Sequence, residues 1–158
     1  MRAFFDSNVI VYALAGTDDL RRERALALLE QHAADNTLVL STQVLMESYN
    51  VLTRKKGASA AVPLAALRLL CRHEVVAPSA KATLAAQELA GQHRLSHSDA
   101  LIVQAEVDAD CEVLWSEDMQ TGWHFGDLQV LNPFTLTVHE AGLKLDVKRS
   151  VRKRPMAT

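Results

Sequence analysis

Short apolar runs of β-favouring residues alternate along the chain with longer stretches whose apolar positions recur at helical spacing. Ala3-Phe4-Phe5, Leu38-Val39-Leu40, Val75-Val76, Val113-Leu114-Trp115 and Leu128-Gln129-Val130-Leu131 are the strand candidates. Between them the spacing predicts a helix from Leu20 to Ala34 through Ala25, Leu28, Leu29 and His32, and another from Val44 to Arg54 through Leu45, Ser48, Val51 and Leu52. A further helix follows Pro63 through Leu64, Leu67, Leu70 and Cys71. Ser79 or Lys81 opens the next, which includes Leu84 and Leu89, and the last starts near Ser96 and runs through Leu101, Val103 and Val107. Strands that alternate with helices require crossover connections, which give a parallel sheet with helices covering both faces. The expected fold class is therefore α/β. One feature stands apart from this rhythm: the first apolar run stops at Asp6 and resumes as Val9-Ile10-Val11-Tyr12.

Composition bounds this picture without redirecting it. The 158 residues suit one hydrophobic core, and no repeat or low-complexity linker divides them. With 49% hydrophobic and 23% charged residues, the chain has no apolar stretch near the ~20 residues a membrane helix needs. The first apolar run is broken too early for a secretory signal, so a cytoplasmic protein is expected. Cys71 and Cys111 lack metal-ligand spacing and lie among apolar residues, which predicts reduced, buried thiols. The formal charge of −2 gives no overall basic excess of the kind nucleic-acid binders often show. Positive charge is concentrated in Arg21-Arg22-Glu23-Arg24, in Arg54-Lys55-Lys56 and in the tail from Lys148 to Arg154; for any one cluster alone, a solvated face or tail is the simpler reading. After Asn132-Pro133-Phe134 the apolar pattern weakens. The chain divides into a domain over residues 1–135 and a basic, partly disordered extension over 136–158.

The acidic residues change the picture more. In an open parallel sheet, sites form outside the carboxyl ends of the strands. Asp6 directly follows the first strand, and Glu47 lies about one turn inside the helix that Ser41-Thr42 opens, flanking the apolar positions Val44 and Val51. Asp99 begins the last helix in Ser96-His97-Ser98-Asp99, and Glu117-Asp118 follows the strand Val113-Leu114-Trp115. Each has a structural excuse: Asp6 with Ser7 and Asn8 can cap a turn, and Ser96-x-x-Asp99 is close to a capping box. Four such positions on one rim are harder to excuse. Clustered carboxylates repel one another and resist desolvation unless a cation neutralises them. Oxygen donors of this kind suit magnesium or manganese, whereas zinc would favour His and Cys. Such an ion can activate water against a phosphodiester, which is nuclease chemistry.

At these residues the sequence resembles the PIN-domain ribonucleases, especially the VapC toxins of bacterial VapBC toxin–antitoxin modules. The resemblance rests on Asp6-Ser7-Asn8-Val9-Ile10, on Ser41-Thr42-Gln43-Val44 leading to Glu47, on Leu95 to Ile102 around Asp99, on Leu114 to Gln120, and on Val130-Leu131-Asn132-Pro133-Phe134. It implies a three-layer fold around a five-stranded parallel sheet, and Mg2+- or Mn2+-dependent endoribonuclease activity. Carried across by position, Asp6, Glu47 and Asp99 match the three near-universal acids and Asp118 the more variable fourth. Ser116 matches the hydroxyl residue that orients a carboxylate or a metal-bound water, Glu117 is an added acid able to substitute for Asp118, and Asn8 supports Asp6 by hydrogen bonding. The resemblance also implies an RNA substrate, a small antitoxin partner and a homodimer.

Contacts with RNA are less specified. Arg54, Lys55 and Lys56 end the helix that carries Glu47 and are placed to track phosphates, although the helix C-terminal dipole explains the same charges. Trp123 is a candidate for base stacking, against the commoner role of covering the core edge. Two other classes compete with a nuclease. A non-catalytic PIN-like module would bind RNA or protein without carboxylate-dependent metal uptake; a phosphoacceptor domain would need a Lys at the phosphate, which this sequence does not offer near its fourth strand.

Overall fold

The computed structural model describes residues 1–54 and 60–136. In chain order these form β1 (Ala3–Phe5), α1 (Ser7–Ala15), α2 (Asp19–Ala34), β2 (Leu38–Ser41), α3 (Thr42–Thr53), α4 (Ala61–Leu70), β3 (Glu74–Val76), α5 (Ala80–His93), α6 (His97–Asp108), β4 (Val113–Trp115), β5 (His124–Phe125) and β6 (Leu128–Leu131). The sheet order is β3-β2-β1-β4-β6-β5, and every pairing is parallel except that of β5 with β6. Right-handed crossovers put the helices between β1 and β3 on one face, and α5 with α6, which return the chain to β4, on the other. The helix contacts agree: α1 packs on α2 and α3, α3 on α4, and α5 on α6.

Strand burial explains why such short strands hold. Phe4, Phe5, Leu40, Leu114 and Trp115 are essentially inaccessible, as continuous apolar runs must be when helices cover both faces. Trp115 also makes a polar contact inside the core. Its indole N–H donates to His32 Nε2 at 3.4 Å, while His32 Nδ1 meets Thr37 Oγ1 at 2.7 Å. Burial pushes the His32 pKa down, so the imidazole is neutral and structural.

Two elements go beyond the sequence expectation. Val9-Ile10-Val11-Tyr12 belongs to α1, a helix that its β-branched residues argue against. Burial of Val9, Ile10 and Ala13 overrides that preference, and Asp6 caps the helix. The sheet has six strands where five parallel ones were expected. The sixth, β5, is only two residues long and turns back through Gly126 at φ 64°, too short to leave a periodic signature.

Smaller corrections follow from the same packing. Val51 is 45% exposed, so the buried face of α3 is Val44, Ser48 and Leu52. Cys71 is exposed because α4 ends at Leu70 and Cys71 only caps it; Cys111 is buried as expected. Burial, reinforced by the Glu106 carboxyl, pushes the Cys111 thiol up to about 12, so it stays protonated and unreactive. Both cysteines are free. Among the described residues no helix is long and apolar enough to cross a membrane. The basic extension from residue 137 onward, Lys55 and Lys56 lie outside the described residues.

Candidate active site

The strand order reverses direction at β1, which has β2 on one side and β4 on the other. Loops leaving β1 and β4 therefore diverge and open a crevice at their carboxyl ends, the place where open α/β sheets build sites. Two backbone hydrogen bonds fix the rim: Asp6 N donates to Trp115 O at 3.0 Å, and Ser116 N donates to Leu131 O at 3.1 Å. Asp6 emerges from β1 at this point, only 5% exposed, and Ser116 from β4, fully buried.

Asp6 is held from three directions. Ser7 N donates to Oδ1 at 2.6 Å, and Oδ2 receives both the Ser116 hydroxyl at 2.7 Å and Asn8 Nδ2 at 2.9 Å. Burial is the main effect on its pKa and raises it. The hydrogen bonds from Ser116 and Ser7 pull it back, and the charges of Asp118 and Glu47 push it up again. The capping reading of Asp6 holds, since its side chain is the N-cap of α1. It does not account for the like charges that surround a buried carboxylate.

Each neighbour links Asp6 to another acid. Asn8 Nδ2 also donates to Asp118 Oδ2 at 3.1 Å, and the Ser116 hydroxyl oxygen accepts from Asp118 N at 3.2 Å and Met119 N at 3.4 Å. The supporting roles expected of Asn8 and Ser116 thus have a geometric basis. On the other side, the Ser7 hydroxyl donates to Glu47 Oε2 at 3.1 Å. Glu47 Oε1 accepts from Gln43 Nε2 at 2.9 Å and from the Ser98 hydroxyl at 3.0 Å. Ser7, Gln43 and Ser98 were not singled out from the sequence as site residues. The signal was present in part, because Gln43 lies four positions before Glu47 and so shares its helix face.

Asp99 is in the first turn of α6, next to Ser98, and its backbone N donates to Ser96 Oγ at 3.1 Å. Half of the expected capping box is present. Among the described residues the Asp99 carboxylate makes no hydrogen bond, so the structure ties together Asp6, Glu47 and Asp118 and leaves Asp99, in the first turn of α6, outside that network. As the side chains stand, no group of three or more His, Cys, Asp or Glu among the described residues converges closely enough to hold a metal ion. Serine hydroxyls and side-chain amides occupy the carboxylate lone pairs. The donor set nonetheless fits a hard divalent cation: it is all oxygen, it lies at the sheet switch point, and mutual repulsion already burdens Asp6.

Glu117 points elsewhere. Its backbone N donates to Asn8 Oδ1 at 3.3 Å, but its carboxylate is paired with the Arg21 guanidinium. Arg24 of the Arg21-Arg22-Glu23-Arg24 cluster is likewise engaged within the chain, since its Nη1 donates to Pro133 O at 3.0 Å and Leu136 O at 2.6 Å, whereas Arg22 is exposed. Arg54 is an exposed residue that ends α3. Trp123 is half-buried with its ring edge-to-face on Phe125, 6.1 Å between centroids. It borders a cleft of about 180 Å³ with His93, His124 and Phe125.

The sequence profile of the PIN domain matches residues 3–120, which spans β1 through the Asp118 loop. The chain belongs to the PIN domain family. All the carboxylates just described fall inside the matched region. A comparison with curated proteins finds no match. Among solved structures, the chain is similar to VapC20 of Mycobacterium tuberculosis, a sarcin–ricin loop cleaving toxin, at 24% identity and TM-score 0.59, covering 73% of this chain and 91% of that one. It is similar to VapBC2 of Rickettsia felis bound to a DNA fragment from the promoter, at 23% identity and TM-score 0.62, covering 84% and 98%. It also resembles DNA-bound VapBC of Salmonella typhimurium, at 12% identity and TM-score 0.62, again covering 84% and 98%. At these identities the likeness concerns the fold: a PIN-type α/β sheet flanked by helices.

Proposed function

We propose that this PIN domain is a metal-dependent endoribonuclease and the toxin of a toxin–antitoxin pair. The observation that carries the reading is the buried Asp6 at the β1–β4 switch point, tied through Ser7 to Glu47 and through Asn8 to Asp118. Asp6, Glu47 and Asp118, with Asp99 from the start of α6, would hold Mg2+ or Mn2+. When bound, the ion supplies Lewis acidity for hydrolysis of an RNA phosphodiester. Ser116 and Asn8 keep Asp6 aimed into the crevice, and Ser7, Gln43 and Ser98 do the same for Glu47. Arg54, Lys55, Lys56 and Trp123 are the proposed contacts to the RNA strand.

The antitoxin follows from the VapBC complexes that share the fold. A homodimer is part of the same proposal. One observation favours a non-catalytic module instead: among the described residues the Asp99 carboxylate makes no hydrogen bond, so it stays outside the network that links the other three acids.

Incubation of the purified protein with RNA separates the two readings. A nuclease produces new 5′-phosphate and 3′-hydroxyl ends with Mn2+ or Mg2+ and none after chelation. No cleavage under any metal condition would leave the non-catalytic module; cleavage undiminished by chelation would contradict the metal-dependent reading.

A further inference from the structure

Arg21 carries more interactions than a solvated basic residue requires. Its guanidinium packs over two rings, 5.5 Å from the Tyr12 centroid and 5.3 Å from the Phe134 centroid. Nη1 donates to Tyr12 Oη at 3.0 Å and pairs with Glu117 Oε1. The two rings themselves meet edge-to-face at 4.9 Å. A planar cation held against aromatic faces and anchored by a hydroxyl has little freedom to release its partner. Glu117 is therefore pinned at both ends, by Arg21 at the carboxylate and by Asn8 at the backbone N–H. Asn8 is the residue that bridges Asp6 and Asp118.

We propose that Arg21 is a positioning residue that holds Glu117 aside from the carboxylate centre and thereby sets both the charge of that centre and the aim of the Asp118 turn. The inference rests on the metal-binding reading above. It removes Glu117 from the candidate ligands: the acid next to Asp118 serves as the anchor of a latch. Without Arg21, Glu117 becomes an unpaired negative charge within one residue of Asp118, and a cation in the crevice feels it.

Mn2+ titration by calorimetry, alongside RNA cleavage kinetics, tests this with four proteins: Arg21→Gln, Arg21→Lys, Glu117→Gln and the double variant. Arg21→Gln is expected to bind Mn2+ about five-fold more tightly through the added charge, and to lose kcat with little change in KM as the Asp118 turn loosens. Adding Glu117→Gln to Arg21→Gln returns the Mn2+ affinity to the wild-type value, and Arg21→Lys keeps it there. A role confined to general stability would not give tighter binding, nor its reversal at Glu117. Wild-type Mn2+ uptake with unchanged affinity in Arg21→Gln would overturn the latch alone. Absence of uptake by the wild type would overturn the metal reading and the latch with it.

Discussion

Asp6→Asn is expected to lose RNA cleavage by about a thousandfold or more, the scale of several kcal/mol of lost transition-state stabilisation, while keeping its fold. Asparagine has the shape of aspartate and can still accept from Ser7 N, as Asp6 Oδ1 does at 2.6 Å. What it lacks is the charge. That charge is buried and pressed by Asp118 and Glu47, so its removal relieves a native-state penalty. The cost is on the other oxygen, where both the Ser116 hydroxyl and Asn8 Nδ2 now donate. An amide nitrogen there meets the Asn8 Nδ2 donor and a Ser116 oxygen that already accepts from Asp118 N and Met119 N, so the hydrogen bonds from Ser116 and Asn8 are lost. The two effects oppose each other, and the thermal midpoint of Asp6→Asn should stay within about 3 °C of wild type, a shift of roughly 1 kcal/mol. Loss of activity together with a collapsed melting transition would assign Asp6 to the fold; full activity in a folded variant would remove it from the site.

Glu106→Leu is expected to stabilise the protein, an outcome opposite to that of most core substitutions. Glu106 lies on the buried face of α6 with Ile102, Val103 and Ala105, and it is fully buried. Neither carboxylate oxygen has a hydrogen-bond partner among the described residues. Burial holds its pKa well above the ordinary 4.5, and the Asp6 charge adds to the effect. Leucine has a similar volume and no polar atoms, so the gain should be about 1–3 kcal/mol. The sign of the pH dependence follows from proton uptake. The folded protein keeps the Glu106 proton at pH values where the unfolded chain has lost it, so wild-type stability falls as pH rises through that window. Leucine has no such slope. Urea unfolding at about pH 5 and about pH 8 should therefore show a gap between variant and wild type that widens with pH. A gap that is constant with pH, or a less stable variant, would mean that Glu106 has a partner that satisfies it.

Much of the architecture was legible because it depends on periodicity. All five predicted strands are present, and the N-caps Ser41, Ser79 and Ser96 each accept from the backbone N–H three residues on, as their sequence positions suggest. The features that were not legible depend on contacts distant in sequence. α1 is helical because Val9 and Ile10 bury against the rest of the core, which local preference cannot foresee. β5 exists only as the partner of β6. The same division holds at the site. Asp6 and Asp118 could be placed on the rim from the strands they follow, but Ser7 reaches Glu47 across 40 positions and Arg21 reaches Glu117 across 96. From sequence Glu117 is a spare ligand; its partner Arg21 meets it only in the fold.

As proposed, the acids at the β1–β4 crevice form a metal site used to cut RNA. Mn2+ titration of the wild type and of folded Asp6→Asn, followed by calorimetry and paired with RNA cleavage in the same samples, tests it most directly. Uptake and cleavage are expected in the wild type, and loss of both together in Asp6→Asn. Equal Mn2+ uptake by the two proteins, or cleavage by the wild type that persists in excess chelator, would contradict it.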